Sequence, residues 1–205
     1  MQTTDLETTT TAGLIVPRNF SDVQELAQVL DAAHVPYQDW GRVGHTRSLE
    51  ELFAYQRDHR VTFSDSLPIT IEVQAAVAIV QFTDASSQGL LLELIEDRQI
   101  TTKTGAKIQR NLRGIGKTLL KSERAFDAMV RGLREELGFS DPQDYDLRYK
   151  FIEDRDPMPS EKWPGIFSAD RRILFECKIS EKIFRRAGYV AHKDGRETHL
   201  IWTNV

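Results

Sequence analysis

The residues best suited to chemistry lie between positions 123 and 136, where charged side chains recur at helical spacing. Glu135 and Glu136 are adjacent, and Gly132 lies three and four residues before them. Residues at positions i, i+3 and i+4 share one side of a helix and can converge on a single point. Carboxylates at such a point suit Mg²⁺, a hard cation that prefers oxygen ligands and shares its shell with phosphates. The alternative is that these glutamates are solvated charges on a helix surface.

The stretch 116–139, which reads GKTLLKSERAFDAMVRGLREELGF, resembles a Nudix box. That motif runs glycine, five residues, glutamate, seven residues, arginine, glutamate, an aliphatic residue, any residue, two glutamates, any residue and glycine. The residues in register are Glu123, Arg131, Leu133, Glu135, Glu136 and Gly138. Two positions depart from the motif, because Gly132 replaces a glutamate and Lys117 stands where the opening glycine belongs.

The resemblance implies an α+β fold, a Nudix-like α/β/α sandwich with a mixed β-sheet and an extra N-terminal helix. It also implies that Glu135, Glu136 and Glu123 hold Mg²⁺ and that Glu135, Glu136 and Arg131 serve catalysis on a diphosphate. Since Gly132 brings no ligand, we expect a weakened metal site, which Gly132→Glu should strengthen. We therefore expect a degenerate Nudix-fold protein that binds a nucleotide or other diphosphate-containing ligand, with weak or no hydrolase activity.

Two other functions remain open at this point. One is an active Mg²⁺-dependent hydrolase that cleaves a nucleoside diphosphate linked to another moiety, which the retained glutamates favour. The other is a protein-interaction module, with a protein partner or a second copy of the chain in the complex. The segments 40–44 and 160–165 also resemble flanking patterns of Nudix-fold proteins, so the resemblance covers about residues 40–202.

A run of basic residues precedes the glutamates. Between positions 98 and 124 the only carboxylate is Glu123, and the basic residues are Arg98, Lys103, Lys107, Arg110, Arg113, Lys117, Lys121 and Arg124. A phosphate-rich ligand is attracted to such a concentration of positive charge. Arg113, Lys117 and Lys121 are expected to border a cleft that the glutamates face, and they are the candidate ligand-binding residues. A solvated set of hairpin and loop side chains is the alternative.

Composition limits the classes of protein and partner. The 205 residues carry a formal net charge of -4, which disfavours strong nucleic-acid binding through the overall field. No apolar run reaches the roughly 18 to 20 residues of a membrane span, and residues 1–13 show no export signal. We expect no membrane partner and a cytoplasmic location. The single cysteine, Cys177, excludes an internal disulfide.

Hydrophobic periodicity predicts the elements that position these residues. Capping boxes at Ser21 and Ser48 start two helices that run to about Ala33 and Asp58. A long strand then carries one apolar face: Ile69, Ile71, Val73, Ala75, Val77 and Ile79. A strand at 90–95 pairs back on it as a hairpin. A third helix over 122–137 is expected to bury Phe126, Val130, Leu133 and Leu137.

Three parts are expected along the chain. Residues 1–13 are a disordered leader, residues 14–38 an N-terminal helical extension, and residues 39–205 the Nudix-like domain. Late strands at 145–153 and 172–179 flank an irregular stretch, and the second has Ile173, Phe175, Cys177 and Ile179 on one face. A final hairpin is expected to turn at Asp194 and Gly195.

Overall fold

A computed structural model describes residue 16 and residues 19–42, 46–65, 67–193 and 195–205. The chain packs into two units, the first within residues 1–73 and 156–169 and the second within residues 74–155 and 170–205. The N-terminal helix packs against the next helix within the first unit. The boundary expected after residue 38 stays a prediction. The predicted leader, residues 1–13, lies outside the described residues.

The described residues form three α-helices and ten strands, which confirms the predicted α+β class. The helices are α1 (Val23–Ala32), α2 (Leu49–Arg57) and α3 (Ala125–Leu137). The strands are β1 (Val61–Phe63), β2 (Thr70–Asp84), β3 (Leu90–Thr101), β4 (Lys107–Arg113), β5 (Ile115–Thr118), β6 (Tyr145–Asp154), β7 (Met158–Pro159), β8 (Phe167–Ile179), β9 (Tyr189–Lys193) and β10 (Arg196–Asn204). No helix within these ranges is long and apolar enough to cross a membrane.

Side-chain caps start both helices of the first unit. At α2 the predicted capping box is present, because Glu51 N–H donates to Ser48 Oγ and Ser48 N–H donates to the Glu51 carboxylate. At α1 the predicted cap is wrong by one residue. Asp22 accepts the Glu25 N–H, whereas Ser21 donates its N–H and hydroxyl to the Glu25 carboxylate. Both arrangements satisfy backbone donors that a helix start leaves unpaired.

Two buried tryptophans anchor loops of the first unit. Trp40 Nε1 donates to the carbonyl of Pro164 at 3.0 Å, and Trp163 Nε1 donates to the carbonyl of Ser48 at 3.2 Å. Both rings are almost fully buried. The segments 40–42 and 160–165 therefore pack together, and their tryptophans serve the core of this unit. Positions 43 and 44 of the first segment lie outside the described residues.

The strands of the second unit follow the order β6-β8-β2-β3-β10-β9, with β5 beside β2 and β4 beside β3. β3 pairs antiparallel with β2 over residues 90–93, as the predicted hairpin requires, and also with β4 and β10. The predicted final hairpin is formed by β9 and β10. Residue 194 of its turn is not among the described residues.

The buried side chains of β2 change from odd to even positions along the strand. Near its start, Ile71 is buried and Val73 packs against the apolar cluster of the first unit. Further on, the buried residues belong to the cluster of the second unit: Ala76, Ala78, Val80 and Phe82. The prediction of one buried face over residues 69–79 is therefore wrong beyond Val73. Val77 and Ile79 lie on the less buried side of the strand.

The helix α3 packs against β5 and β9 of the second unit. It begins at Ala125, three residues later than predicted. Leu133 and Leu137 are buried as expected, but Phe126 is 48% exposed and Val130 is only half-buried. The rest of the buried stripe is Ala128, Met129 and Gly132. The prediction failed for two of four residues because the buried face of α3 is centred on Met129 and Leu133, so that Phe126 and Val130 lie at its edge.

Candidate functional site

The ammonium of Lys117 lies between the two adjacent glutamates of α3. Its Nζ is 2.9 Å from Oε2 of Glu135 and 2.6 Å from Oε1 of Glu136. Lys117 is on β5, and only 6% of its side chain is exposed, so it is not a surface lysine. Lysine is rarely buried unless it is paired, and here two carboxylates pair with it. The glutamates predicted to hold a metal thus bind a side-chain cation.

Gly132 provides the space that the stem of Lys117 occupies. A Cβ at position 132 would lie 2.7 Å from Cγ of Lys117 and 3.0 Å from Cε of Met129. Gly132 is therefore on the buried side of α3, where it contacts the same lysine as Glu135 and Glu136. A glycine inside a helix costs about 0.5 to 1 kcal/mol relative to alanine. The close approach of Lys117 is the structural reason for a glycine here.

The charges around Glu135 stabilise its ionised form. Burial raises the pKa of Glu135, but hydrogen bonds and charge from Lys117, and then from Lys193, outweigh burial and lower it from 4.5 to about 2. Lys193 Nζ is 3.3 Å and Arg131 Nη1 is 3.7 Å from this carboxylate. Burial lowers the pKa of Lys117, whereas its contacts with Glu136 and Glu135 raise it above its usual value. Glu135 and Lys117 are therefore both ionised at neutral pH.

Glu123, the third predicted metal ligand, binds protein donors. Arg131 donates to both of its carboxylate oxygens at 2.9 Å, and the N–H of Leu120 donates to Oε2 at 2.9 Å. Arg131 also donates to the carbonyl of Thr118. The hydrogen bond from Arg131 is the main reason that the pKa of Glu123 is lowered. Both residues thus join the segment before α3 to the helix.

The α3 carboxylates do not fit a divalent cation as they are arranged. A Mg²⁺ ion bound between Glu135 and Glu136 would compete with the ammonium of Lys117, which contacts Oε2 of Glu135 and Oε1 of Glu136. Two positive charges at contact distance from the same oxygens repel each other. Across the described ranges, no group of three or more His, Cys, Asp or Glu side chains is placed to hold a metal ion.

Much of the basic run is neutralised by β3. Three ion pairs connect it to carboxylates of that strand: Arg98 with Asp97, Arg110 with Glu96, and Arg113 with Glu93. These carboxylates precede position 98, so a count that starts there misses them. The local positive charge is therefore smaller than the sequence indicates. Of the three candidate ligand-binding residues, Lys117 is buried in ion pairs and Lys121 is exposed, while Arg113 borders a cavity.

That cavity has a volume of about 420 Å³ and lies within the second unit. Its apolar lining comes from β2, β6 and β8: Val77, Ile79, Phe151, Leu174 and Phe175. Its polar lining consists of Gln81, Arg113, Lys150, Arg172 and Glu176. Small-molecule sites have volumes of roughly 300 to 1,000 Å³ and combine apolar walls with a few polar groups. The size and lining of this cavity match that description.

Positive charge exceeds negative charge in the cavity. Three of its side chains are cationic and only Glu176 is acidic, with Lys150 Nζ 3.4 Å from its Oε1. Arg113 binds Glu93 through Nε at 2.5 Å and Nη2 at 2.7 Å, which uses two of the five N–H groups of its guanidinium. The hydrogen bond with Glu93 is the main reason that the pKa of Arg113 is raised. Lys150 and Arg172 contact Glu176 and Asp170 in the same way, so each of the three cations already has a carboxylate partner.

The alternation of residues along β8 could have indicated part of the lining of this cavity. Placing Phe175 and Cys177 on one face of β8 puts Arg172, Leu174 and Glu176 on the other, because successive residues of a strand point to opposite faces. What the sequence does not reveal is that β8 lies beside β2. Lys150 and Arg172 were therefore missed as candidate ligand-binding residues.

No protein-family profile and no curated protein sequence matches this chain. Among solved structures, a MutT/nudix family protein from Enterococcus faecalis is 15% identical, with a TM-score of 0.44 over 77% of this chain and 51% of that protein. The NUDIX domain of Shewanella oneidensis NrtR, complexed with ADP ribose, is 9% identical, with a TM-score of 0.40 over 65% and 73%. The C. elegans Ap4A hydrolase is 11% identical, with a TM-score of 0.36 over 64% and 79%.

The chain matches about half the length of the Enterococcus faecalis protein. All three TM-scores are below 0.5, so these similarities carry no argument about the function of this chain. Its site must be judged on its own residues.

Proposed function

We propose that the second unit binds a small molecule that carries a diphosphate, such as a nucleotide, in the cavity bordered by Arg113, Lys150 and Arg172. The observation that carries this proposal is the grouping of three cationic side chains around an apolar floor. Arginine suits phosphate because its planar guanidinium donates two parallel hydrogen bonds to an anion. The ligand would place its phosphates at these cations and its less polar part on the floor.

The aromatic lining of the cavity supports a nucleoside as the rest of the ligand. Phe151 is 54% exposed and lies beside Lys150 in β6. An exposed ring offers a face on which a flat heterocycle can stack, and such stacking contributes about 1 to 3 kcal/mol per base in nucleic-acid binders. Val77 and Ile79 add apolar contacts below it.

We further propose that the chain is a degenerate Nudix-like protein with weak or no hydrolase activity. The contacts of Lys117 with Glu135 and Glu136 support this, since those carboxylates are the ones that the box resemblance assigns to metal binding. A Mg²⁺-dependent hydrolase is the second candidate. Its support is that both glutamates are present and adjacent.

The binding proposal is tested by isothermal titration calorimetry with ADP and with adenosine, in buffer without divalent metal. We expect ADP to bind at least about tenfold more tightly than adenosine, because each charged hydrogen bond to phosphate contributes about 1.5 to 3 kcal/mol. Arg172→Gln should weaken ADP binding by about tenfold. The matched control is Arg171→Gln, the preceding residue of β8, which does not line the cavity.

Two results would contradict the binding proposal. One is equal affinity for ADP and adenosine, and the other is an equal loss of affinity in the Arg171 and Arg172 variants. If neither compound binds, a protein partner becomes the better interpretation.

Hydrolysis is tested by incubating the protein with ADP-ribose and Mg²⁺ and separating the products by chromatography. We expect the diphosphate to stay intact. Cleavage by the wild type that disappears in Glu135→Gln would favour the hydrolase instead. The two tests are separable, because the first needs no metal and the second follows a chemical product.

A further inference from the structure

We infer that the ammonium of Lys117 is a built-in substitute for a divalent cation at Glu135 and Glu136, and that Gly132 is its necessary counterpart. The two departures from the box motif, at positions 117 and 132, would then be one paired change. This inference concerns α3 and β5 and does not depend on which ligand occupies the cavity.

The first support is the position of the positive charge. Nζ of Lys117 contacts an oxygen of each glutamate, so one ammonium bridges two carboxylates that follow each other on α3. Lys193 and Arg131 add further positive charge at Glu135. Because Arg131 also binds Glu123, the cluster contains three carboxylates and three cationic side chains. An additional divalent ion at these oxygens would have to displace at least Lys117.

The second support is that Lys117 cannot easily withdraw. Its backbone is part of β5, where it is paired in register with Ala76 of β2. With 6% of the side chain exposed, its ammonium has little water around it once it leaves the carboxylates. An unpaired ammonium at a buried position is strongly disfavoured, and so is a pair of uncompensated carboxylates. The lysine thus remains in place even when metal is present in solution.

The third support is the space at position 132. Even a single carbon there would come within 2.7 Å of Cγ of Lys117, so a glutamate at 132 and a lysine at 117 cannot both adopt these positions. Replacing Gly132 alone would therefore disturb the lysine without opening a metal site. The expectation that Gly132→Glu by itself strengthens Mg²⁺ binding stays a prediction, and the present inference leads to the opposite result.

The test is a titration with Mn²⁺, followed by isothermal titration calorimetry and by loss of the free-ion electron paramagnetic resonance signal. Four proteins are compared: the wild type, Lys117→Ala, Gly132→Glu and the double variant Lys117→Ala with Gly132→Glu. We expect no saturable binding in the wild type or in Gly132→Glu. Lys117→Ala should bind Mn²⁺ weakly, and the double variant should bind about 10- to 100-fold more tightly than Lys117→Ala.

Lys121→Ala is the matched control, since it removes an exposed lysine close by in the chain and should bind no Mn²⁺. Circular dichroism establishes that each variant is folded. The wild type also provides a test without any substitution, because millimolar Mn²⁺ should not raise its melting temperature. Saturable Mn²⁺ binding by the wild type that Glu135→Gln abolishes would overturn the inference. So would the absence of binding in folded Lys117→Ala and double variants.

Discussion

Arg131 binds Glu123 through two hydrogen bonds of 2.9 Å, and the pair connects α3 to the segment that precedes it. Glu123 also accepts the N–H of Leu120, so residues 120–123 are fixed to the helix before it begins. In the motif both residues look like parts of a metal site. In the structure they hold the end of β5 and the start of α3 in place, which positions Lys117 opposite Glu135 and Glu136.

The Arg131–Glu123 pair should contribute measurably to stability. Glu123→Gln should lower the free energy of unfolding by about 1 to 2 kcal/mol, because it removes a charged partner from a partly buried bidentate contact. Urea unfolding at neutral pH measures the change. Asp127→Asn is the control, since the Arg124–Asp127 pair is exposed and solvent screens it. A similar loss in both variants would show that the Glu123 contact has no special role.

Acid should destabilise the second unit through Glu135. Its pKa in the folded protein is about 2, below the ordinary value of 4.5. A carboxyl with a lowered folded pKa contributes stability above the unfolded pKa and loses it as the pH falls through the folded one. Stability from this group should therefore decline between about pH 4.5 and 2. Unfolding experiments across this pH range, compared with Glu135→Gln, measure it.

Lys117→Met should raise the pKa of Glu135 towards 4.5, because Lys117 is the main cause that lowers it. The measurement is the pH dependence of the Glu135 side-chain carboxyl shift by nuclear magnetic resonance. Lys121→Met serves as the control. An unchanged titration midpoint in Lys117→Met would mean that Lys193 and Arg131 alone account for the lowered pKa.

Gly132→Ala should have opposite effects in two backgrounds. In the wild type it should destabilise the protein, because the new Cβ meets Cγ of Lys117. In Lys117→Ala that contact is absent, and alanine should stabilise α3 by about 0.5 to 1 kcal/mol relative to glycine. Free energies of unfolding of the four proteins form a double-mutant cycle. If the two effects are equal, Gly132 and Lys117 are not coupled.

Gly188 directly precedes β9, the strand that ends at Lys193, so its substitution tests the pairing of β9 with β10. Its φ is +81°, and a Cβ there would lie 2.0 Å from the carbonyl oxygen of Leu200 on β10. Gly188→Ala should therefore lower the free energy of unfolding by about 3 kcal/mol or more. Gly105→Ala is matched for backbone conformation but has open space, and should lose only about 1 to 2 kcal/mol. Equal losses of stability in the two variants would mean that the positive φ, and not the contact with β10, causes the destabilisation.

Local signals in the sequence predicted the elements better than their faces. The capping box of α2 depends on residues three apart, Ser48 and Glu51, and was read correctly. The buried side of α3 depends on what packs against it, which the sequence of the helix does not show. Phe126 was expected to be buried and is 48% exposed, whereas Gly132 is buried.

The role of Gly132 could not be predicted from the residues next to it in the sequence. It appears as a missing ligand until the structure places Lys117, fifteen positions earlier in the chain, against it. The cavity was missed for the same reason. Its side chains come from strands that pair only in the folded chain, and alternation along one strand does not identify its neighbours.

In β2 the residues that pack into a core lie at odd positions up to Val73 and at even positions from Ala76 onwards. The number of residues between these two positions is therefore important. Because side chains alternate along a strand, removing one residue there would turn every later side chain to the other face. Val77 and Ile79 would then enter space that now holds Ala76 and Ala78, and Ala78 and Val80 would replace them at the floor of the cavity. Substitutions of the exposed Gln74 should be tolerated among related chains, whereas single-residue insertions and deletions should be absent from this short segment.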